Sequence, residues 1–453
     1  MGVAKLKKLV HEANILEDFA LKNSHIVIDA SSLYYFLYFQ STLDQSHGGD
    51  YSGLKDEVCQ FFQALQDCGV TPHVILDGGT SPEKFDNLQT RLQNKLNKAK
   101  RITTGTNSST LPGNRKILPP LTKDVFKQIL TEKGIEFEQT FGEADRRIAS
   151  LANELGCPVL SHDTDFHVYD LEEGFLPLYS ETFEWKEKRN GHITAKRYRR
   201  PLFCRHFGID PALMPVFAAI AGNDFSRFND QRKFEQYFLP KSSEGLLMSD
   251  SNIQGPQREM NRLRAILEML RILAPTLAHD SEQKQVQAVN EVLTLFGDET
   301  MDDRPFLESI KTYDVGPVAA ETRGKVLPQW MVDKVQEGKL TSFVTDVLHH
   351  SRMMLTPLVE DFSQPSSHSA ALRIRQFFYG LLLGQETCTE FDRADKKSMS
   401  HKKVRPVHPR VSEGELQQLQ LQHLDQAPED LRRHVLLEAL ESLGLHLRTS
   451  QTT

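Results

Sequence analysis

The chain has 453 residues, of which 39% are hydrophobic, and a formal net charge of −7 at pH 7. This length predicts two or three domains with a hydrophobic core. No apolar run is long enough to span a membrane, and the opening MGVAKLKKLV lacks the apolar core of a secretion signal. The five cysteines are scattered and form no Cys-x-x-Cys pair, which argues for a reduced compartment and against a disulfide framework or a zinc cage.

The first half of the chain alternates between short apolar runs and stretches with helical periodicity. Strands are predicted at 24–29, 73–76, 157–160 and 175–179, and helices at 30–39, 54–68, 83–101, 123–132, 144–155 and 212–221. Because strands that alternate with helices form parallel pairs, we predict a mainly parallel α/β sheet flanked by helices over residues 1–228. The Gly-, Ser-, Thr- and Pro-rich stretch 103–120 is predicted to be a loop or a mobile lid.

Strand signals fade in the second half of the chain, which is predicted to be mostly helical. Residues 229–258 are polar and irregular and are interpreted as a linker. Residues 259–390 are predicted to form a helical domain, and residues 391–412 a basic, proline-containing linker. A final amphipathic helix pair over about 413–446, with its tail, completes the chain at 453. The default interpretation of this half is protein-partner binding.

Four carboxylates lie in two closely spaced pairs within residues 141–166: Glu143, Asp145, Asp163 and Asp165. A predicted helix and a predicted buried strand separate the pairs, so both pairs can lie at one edge of the sheet. In open α/β sheets that edge binds ligands. Four acids at one place repel one another, by roughly 4 kcal/mol per contact at 4 Å and an effective dielectric constant near 20. Such a cluster persists only when cations or protons neutralise it.

Three further acids follow predicted elements at the same edge. Asp29 and Asp77 each close a strand, and Asp224 follows the helix at 212–221. Taken singly, each is better explained as a turn or capping residue. Together the seven acids predict a site for hard divalent cations, because an all-carboxylate ligand set suits Mg²⁺ or Mn²⁺ better than Zn²⁺.

Two basic segments contrast with the acidic total. Residues 84–133 carry 11 Lys or Arg and 3 Asp or Glu, and residues 186–205 carry 8 basic residues and 1 acid. Basic segments around an acid cluster suggest a polyanionic substrate handled by metal ions. For each segment alone, a solvated basic face is the stronger interpretation. The candidate backbone-binding cations are Lys95, Lys98, Lys100, Arg101, Lys196, Arg197, Arg199 and Arg200.

The order of the seven acids resembles that in the flap endonuclease/XPG family of structure-specific nucleases, which have a PIN-like fold. Within this family the chain is most similar to the Asteroid branch. The opening MGVAKL is similar to the family's MGIxGL, with Lys5 where glycine is usual. The acids lie in the motifs IDAS (Asp29), LDGG (Asp77), GEAD (Glu143, Asp145), SHDTDF (Asp163, Asp165) and AGNDF (Asp224). The resemblance covers residues 1 to about 228.

The resemblance implies a centre with two Mg²⁺ ions, for which Mn²⁺ can substitute. One ion is expected among Asp29, Asp77, Glu143 and Asp145, and the other among Asp163, Asp165 and Asp224. The family's catalytic cations correspond to Lys84 and Arg91, which would contact the scissile phosphate. Their alternative role is that of exposed helix charges. Tyr35 matches an aromatic residue that stacks on a base, although a core position explains it almost equally well. His162 and His167 are better explained as structural residues than as ligands.

The chain also departs from the family. The stretch FSRFNDQRKFEQYFLP after Asp224 lacks the glycines of the helix–two-turn–helix that grips duplex DNA, and the arch between Arg101 and Thr122 is short. The resemblance, taken with these departures from it, implies a metal-dependent DNA endonuclease for single-stranded, overhanging or flap DNA, acting in DNA repair. The alternatives are a non-catalytic DNA- or protein-binding scaffold and a PIN-type ribonuclease. The family suggests a nuclear location, and so do Lys396-Lys397 with Lys402-Lys403.

Overall fold

The computed structural model describes residues 2–80, 84–104, 116–189, 191–223, 226, 256–296, 302–315, 327–393 and 398–443. Several predictions fall elsewhere: Asp224, most of the 229–258 linker, the middle of the 103–120 loop and Lys396-Lys397 lie outside the described residues. Within the described ranges, no helix combines the length and the apolar character that a membrane crossing requires.

The part of the chain up to residue 223 alternates strands and helices. The strands are β1 Glu17–Leu21, β2 His25–Asp29, β3 Thr71–Leu76, β4 Phe137–Gln139, β5 Val159–Ser161, β6 Phe175–Pro177, β7 Phe183–Arg189 and β8 His192–Arg197. The helices are α1 Leu6–Glu12, α2 Ala30–Gln40, α3 Tyr51–Asp67, α4 Phe85–Thr104, α5 Thr122–Lys133, α6 Asp145–Leu155, α7 Arg200–Phe207 and α8 Met214–Ala221.

The described residues after 255 are mostly helical, as predicted. The helices are α9 Pro256–Leu273, α10 Ser281–Phe296, α11 Arg304–Lys311, α12 Gln329–Gln336, α13 Ser342–His350, α14 Leu372–Leu383, α15 Glu413–Gln418 and α16 Glu429–Glu441. The strands are β9 Arg352–Met354, β10 Cys388–Arg393 and β11 Met399–Val404. The predicted helix pair over 413–446 corresponds to α15 and α16.

The largest sheet has five strands in the order β4-β3-β2-β5-β6. Strand β2 pairs in parallel with β3 and β5, and β5 pairs in parallel with β6. Ile26, Val27 and Ile28 of the central strand are fully buried, as expected for a parallel strand covered on both faces. The predicted α/β fold with a mainly parallel sheet flanked by helices is confirmed.

A second sheet, β1-β8-β7, is antiparallel and was not predicted. The sequence analysis interpreted residues 186–205 only as a basic segment, yet they contain much of a hairpin. In β8 the buried residues Ile193 and Ala195 alternate with the polar residues His192, Thr194 and Lys196. High charge obscured the alternation that is typical of a strand with one buried face.

A third sheet, β11-β10-β9, lies within the mostly helical C-terminal half and was not predicted. Residues 259–390 are not entirely helical, and strand β11 occupies part of the predicted 391–412 linker. The four residues Ser400–Lys403 of β11 are exposed, so this edge strand has no apolar pattern for sequence analysis to detect. In β10, Glu390 is fully buried and receives hydrogen bonds from Arg375 and Tyr379, at 2.6 Å and 2.7 Å.

The described chain groups into two compact units, each made of three separate stretches of the sequence. The first unit comprises Met1–Phe36, Val58–Ile75 and Ala144–Val318. Its hydrophobic core extends from Val3 to Tyr313 and includes the whole of α8. The second unit comprises Leu37–Glu57, Leu76–Glu143 and Ala319–Thr453. One of its cores joins α12 and α13 through Leu327, Met331, Val344 and Leu348.

Candidate metal centre

The segment from α6 to the turn after β5 positions three of the predicted acids. Helix α6 ends at Gly156, whose left-handed backbone (φ 58°) stops the helix and directs the chain into β5. Asp163 follows β5 and caps a short 3₁₀ turn, Thr164–His167, by accepting a hydrogen bond from the Asp165 N–H at 3.1 Å. The predicted helix, glycine stop and strand are therefore all present.

The acids at the start of α6 and after β5 form one cluster. Carboxylate oxygens of Asp145, Asp163 and Asp165 all lie within 4.8 Å of one another. Asp165 is 5% exposed, so part of the cluster is shielded from water. Three like charges this close are costly unless a cation neutralises them. The donors are all carboxylate oxygens, which fits Mg²⁺ or Mn²⁺ and not the nitrogen and sulfur set that zinc prefers.

Two contacts from distant parts of the sequence hold this cluster. The Gly2 N–H donates to Asp163 Oδ1 at 3.2 Å, and the Tyr313 hydroxyl donates to Asp165 Oδ1 at 2.9 Å. A Cβ at position 2 would lie 2.3 Å from Asp165 Oδ1, so only glycine fits there. Both contacts fix the orientation of a carboxylate rather than neutralising it.

Tyr313 connects Asp165 to Asn223, the residue before the predicted ligand Asp224. Burial, and then the adjacent Asp165 carboxylate, raise the pKa of Tyr313 well above its ordinary value, so the hydroxyl remains a donor. It also accepts a hydrogen bond from Asn223 Nδ2 at 3.1 Å. Asn223 directly precedes Asp224, which itself lies outside the described residues.

Asp29, at the end of β2, belongs to the same hydrogen-bond network. The Ser161 hydroxyl donates to Asp29 Oδ2 at 2.6 Å and accepts from the Asp163 N–H at 2.9 Å. Ser32 donates to the same carboxylate through its N–H and its hydroxyl, at 3.1 Å and 2.5 Å. One buried serine thus separates Asp29 from Asp163.

The second unit carries the other two predicted acids. Asp77 directly follows β3, and its backbone carbonyl accepts a hydrogen bond from the Lys123 ammonium. Glu143 forms an ion pair with Lys84, which is only 6% exposed. Burial lowers the pKa of Lys123, although nearby carboxylates including Asp77 oppose that effect. Because Lys84 is buried and paired with Glu143, it is not an exposed helix charge, which was the alternative interpretation.

The predicted backbone-binding cations fall into two groups. Lys95, Lys98, Lys100 and Arg101 lie on α4, as does Arg91, a predicted catalytic cation. In the β7–β8 region, by contrast, three of the predicted cations have acidic partners. Lys196 pairs with Asp18 at 2.6 Å, Arg197 with Glu173 at 3.1 Å, and Arg200 with Asp170. Arg199 precedes α7 and is half-buried. These ion pairs favour a structural role for the second basic segment.

Aromatic side chains lie beside Asp163. Tyr35 is half-buried, with its ring centroid 6.4 Å from that of His162, and His162 packs edge-to-face on Tyr179 at 4.6 Å. His162 is exposed. His167 is buried, its Nδ1 donates to the Thr164 carbonyl at 2.9 Å, and burial lowers the pKa of His167 to about 4. His167 is thus a neutral, structural residue.

Sequence analysis missed the residues that support the acids. Ser161 lies within the SHDTDF motif, two residues before Asp163, and this position could have identified it as a residue that contacts the acids. Tyr313, Ser32 and Lys123 had no such signal, because their contacts depend on tertiary packing.

The XPG-domain-containing family (XPG_I_2) matches residues 132–233. The single-strand DNA endonuclease ASTE1 of Danio rerio is 34% identical over 97% of this chain and 64% of its own length. The human protein of the same name is 34% identical over 84% of this chain and 56% of its own length. Protein asteroid of Drosophila melanogaster is 23% identical over 84% of this chain and 58% of its own length. The chain therefore spans less than two thirds of each of these relatives.

Among solved structures, the catalytic core of Rad2 in complex with DNA substrate is 14% identical and has a TM-score of 0.40, covering 76% of this chain and 97% of that one. Human GEN1 in complex with Holliday junction DNA is 13% identical with a TM-score of 0.36, covering 98% and 99%. The chain thus contains a match to the XPG domain and is homologous, over most of its length, to the ASTE1 and asteroid proteins.

Proposed function

We propose that this chain is a divalent-cation-dependent endonuclease that cleaves single-stranded or overhanging DNA. The observation that carries the proposal is the convergence of Asp145, Asp163 and Asp165 within 4.8 Å, beside the Asp29–Ser161 pair. The names of the ASTE1 relatives, single-strand DNA endonucleases, support the choice of substrate. A role in DNA repair, a nuclear location and protein partners for the C-terminal region are part of the same proposal.

In this proposal the three clustered carboxylates hold the cations, with Asp29 and the predicted acids Asp77, Glu143 and Asp224 completing the set. Two Mg²⁺ ions are expected, with Mn²⁺ as a substitute. When bound, such cations polarise the scissile phosphodiester and make water a stronger nucleophile at neutral pH. The carboxylates would hold the cations at the edge of the sheet and accept hydrogen bonds from that water.

The reaction needs no nucleophile from the protein. Two serines contact the acids, but the hydroxyls of both Ser32 and Ser161 already donate to Asp29, and Ser161 is fully buried. Lys84 and Arg91 are assigned to the scissile phosphate, where their positive charge would stabilise the charge that grows in the transition state. Tyr35 is assigned to stacking on an unpaired base.

A substrate panel tests the proposal. The purified protein, with Mg²⁺ and with EDTA, is given single-stranded DNA, 5′ flaps, 3′ overhangs, blunt duplex and single-stranded RNA of the same sequence. We expect Mg²⁺-dependent cleavage of single-stranded and overhanging DNA, because the family's duplex-gripping glycines are missing from this sequence. A clear preference for 5′ flaps would contradict the substrate assignment, and a preference for RNA would indicate a ribonuclease. Absence of cleavage from every substrate would favour a scaffold.

Thermal stability tests the cation site without DNA. Because the clustered carboxylates repel one another, we expect Mg²⁺ or Mn²⁺ to raise the melting temperature, and EDTA to reverse the increase. Linkage gives about 2.7 kcal/mol of stabilisation at a cation concentration 100 times the dissociation constant. The measurement is differential scanning fluorimetry over a cation titration, with Na⁺ at matched ionic strength as the control. An identical melting curve in all three salts would contradict a preformed cation site.

A further inference from the structure

The loop that follows β3 carries Asp77 and contacts the segment that leads to Glu143. The Gly78 N–H donates to the Gly142 carbonyl at 2.8 Å, and the Gly79 N–H donates to the Phe141 carbonyl at 2.6 Å. The backbones that carry two predicted metal-binding acids are therefore joined directly. Phe141 in turn packs against the hydrophobic core formed by α12 and α13.

Helix α13 contacts the same loop from the C-terminal part of the chain. Asp346 Oδ1 accepts a hydrogen bond from the Thr80 N–H at 2.7 Å, and His350 Nε2 donates to the Thr80 carbonyl at 3.0 Å. Both backbone groups of Thr80 are thus bonded to one helix. A Cβ at Gly79 would lie 2.5 Å from Thr345 Oγ1 and 2.8 Å from Asp346 Oδ1, so α13 packs directly on the loop.

The helix that makes these contacts is itself firmly held. Val344, Val347 and Leu348 are buried in the cores of the second unit. A loop bonded at both backbone groups to a buried helix cannot shift without breaking those bonds. The position of the Asp77 carboxylate, three residues before Thr80, is restricted accordingly.

We infer that Asp346 and His350 are positioning residues for the Asp77 loop, so that α13 in the C-terminal region prepares part of the cation site. The inference rests on the proposed function only in taking Asp77 as a cation ligand. It gives α13 a role in cation binding, whereas the sequence suggested only partner binding for this region. Groups that orient metal ligands from outside typically affect metal affinity by about 10- to 100-fold.

The test compares variants that remove these hydrogen bonds with variants that keep them. Asp346→Ala and His350→Ala remove them, whereas Asp346→Asn retains an acceptor for the Thr80 N–H and His350→Gln retains a donor for its carbonyl. Asp280→Ala is the matched control, because Asp280 Oδ1 accepts a backbone N–H, that of Gln283, at 2.9 Å. Mn²⁺ binding is measured by calorimetry without DNA, and the Mg²⁺ concentration for half-maximal cleavage is measured in parallel.

We expect both alanine variants to bind Mn²⁺ about tenfold more weakly and to need correspondingly more Mg²⁺. Cleavage at saturating Mg²⁺ should be largely kept. The Asn and Gln variants should bind Mn²⁺ like the wild type, and so should the Asp280→Ala control. Wild-type Mn²⁺ affinity in both alanine variants would overturn the inference. If Asp346→Ala does not purify as a folded protein, the comparison of His350→Ala with His350→Gln tests the positioning role by itself.

The two readouts separate this inference from the proposed function. If the wild-type protein binds Mn²⁺ and cleaves no nucleic acid, the endonuclease proposal fails, and the calorimetric comparison still tests the α13 contacts. If the wild-type protein cleaves DNA with Mg²⁺ and the alanine variants match its cation affinity, only the positioning role fails. If the wild-type protein binds no Mn²⁺, both fail.

Discussion

Asp165→Asn is expected to lower Mg²⁺-dependent cleavage by about 10³-fold. The substitution keeps the shape of the side chain and an acceptor for the Tyr313 hydroxyl, but it removes one anionic ligand from the cluster. A loss of about 4 kcal/mol of transition-state stabilisation corresponds to this factor. The measurement is kcat/KM on a single-stranded DNA oligonucleotide with Mg²⁺.

The same variant, although less active, should be more stable than the wild type when no cation is present. Removing one of three clustered like charges relieves repulsion, so the metal-free Asp165→Asn protein should melt at a higher temperature than the metal-free wild type. Asp210→Asn is the matched control, since Asp210 is a carboxylate outside the cluster that accepts the Ala212 N–H at 2.9 Å and pairs with Lys284. That variant should lose stability and keep its activity. Full activity in Asp165→Asn would show that this carboxylate holds no catalytic cation.

Lys84→Met is expected to lower kcat by about 10²–10³-fold, the loss typical of removing one transition-state charge stabiliser. Lys84 is 6% exposed and its ammonium is paired with Glu143, so its charge acts in surroundings where water screens it poorly. KM for the oligonucleotide should change little, because the interaction strengthens as charge develops on the phosphate. Single-turnover kinetics with saturating enzyme measures the effect on the chemical step.

Two further variants make the Lys84 result interpretable. Lys84→Arg keeps the charge and should retain more activity than Lys84→Met. Lys127→Met removes another shielded lysine of the same unit, whose ammonium lies 3.1 Å from Asp124 and donates to the Gly338 carbonyl at 3.0 Å. It should reduce stability without reducing kcat. Equal losses in Lys84→Met and Lys127→Met would mean that Lys84 acts only through folding.

The sequence predicted the central sheet well because alternation of strands and helices is a local signal. The ends of β2, β3, β5 and β6 could be located from their apolar runs, and therefore so could the acids that follow β2 and β5, Asp29 and Asp163. The short strand β4 of the same sheet was not predicted. The prediction that Asp145 lies close to Asp163 and Asp165 required only the helix, the glycine stop and the strand between them. Local patterns thus sufficed for the cluster.

Local patterns could not supply the groups around the cluster. Tyr313 is 148 residues from Asp165 in the sequence, and Asp346 is 266 residues from Thr80, so only folding shows these pairs. The β7–β8 hairpin and strand β11 were missed for another reason. Their exposed faces are rich in charge, and charged strands with one exposed face resemble solvated loops in a single sequence.

The burial of α8 has a practical consequence for anyone who shortens this protein. All eight residues of Met214–Ala221 are buried, and α9 and α11 pack against them. A fragment that stops near residue 228, where the family resemblance ends, would leave an apolar helix facing water and would lack the phenol that orients Asp165. Such a fragment is a poor choice for expression. Its inactivity or insolubility would say nothing about the intact chain.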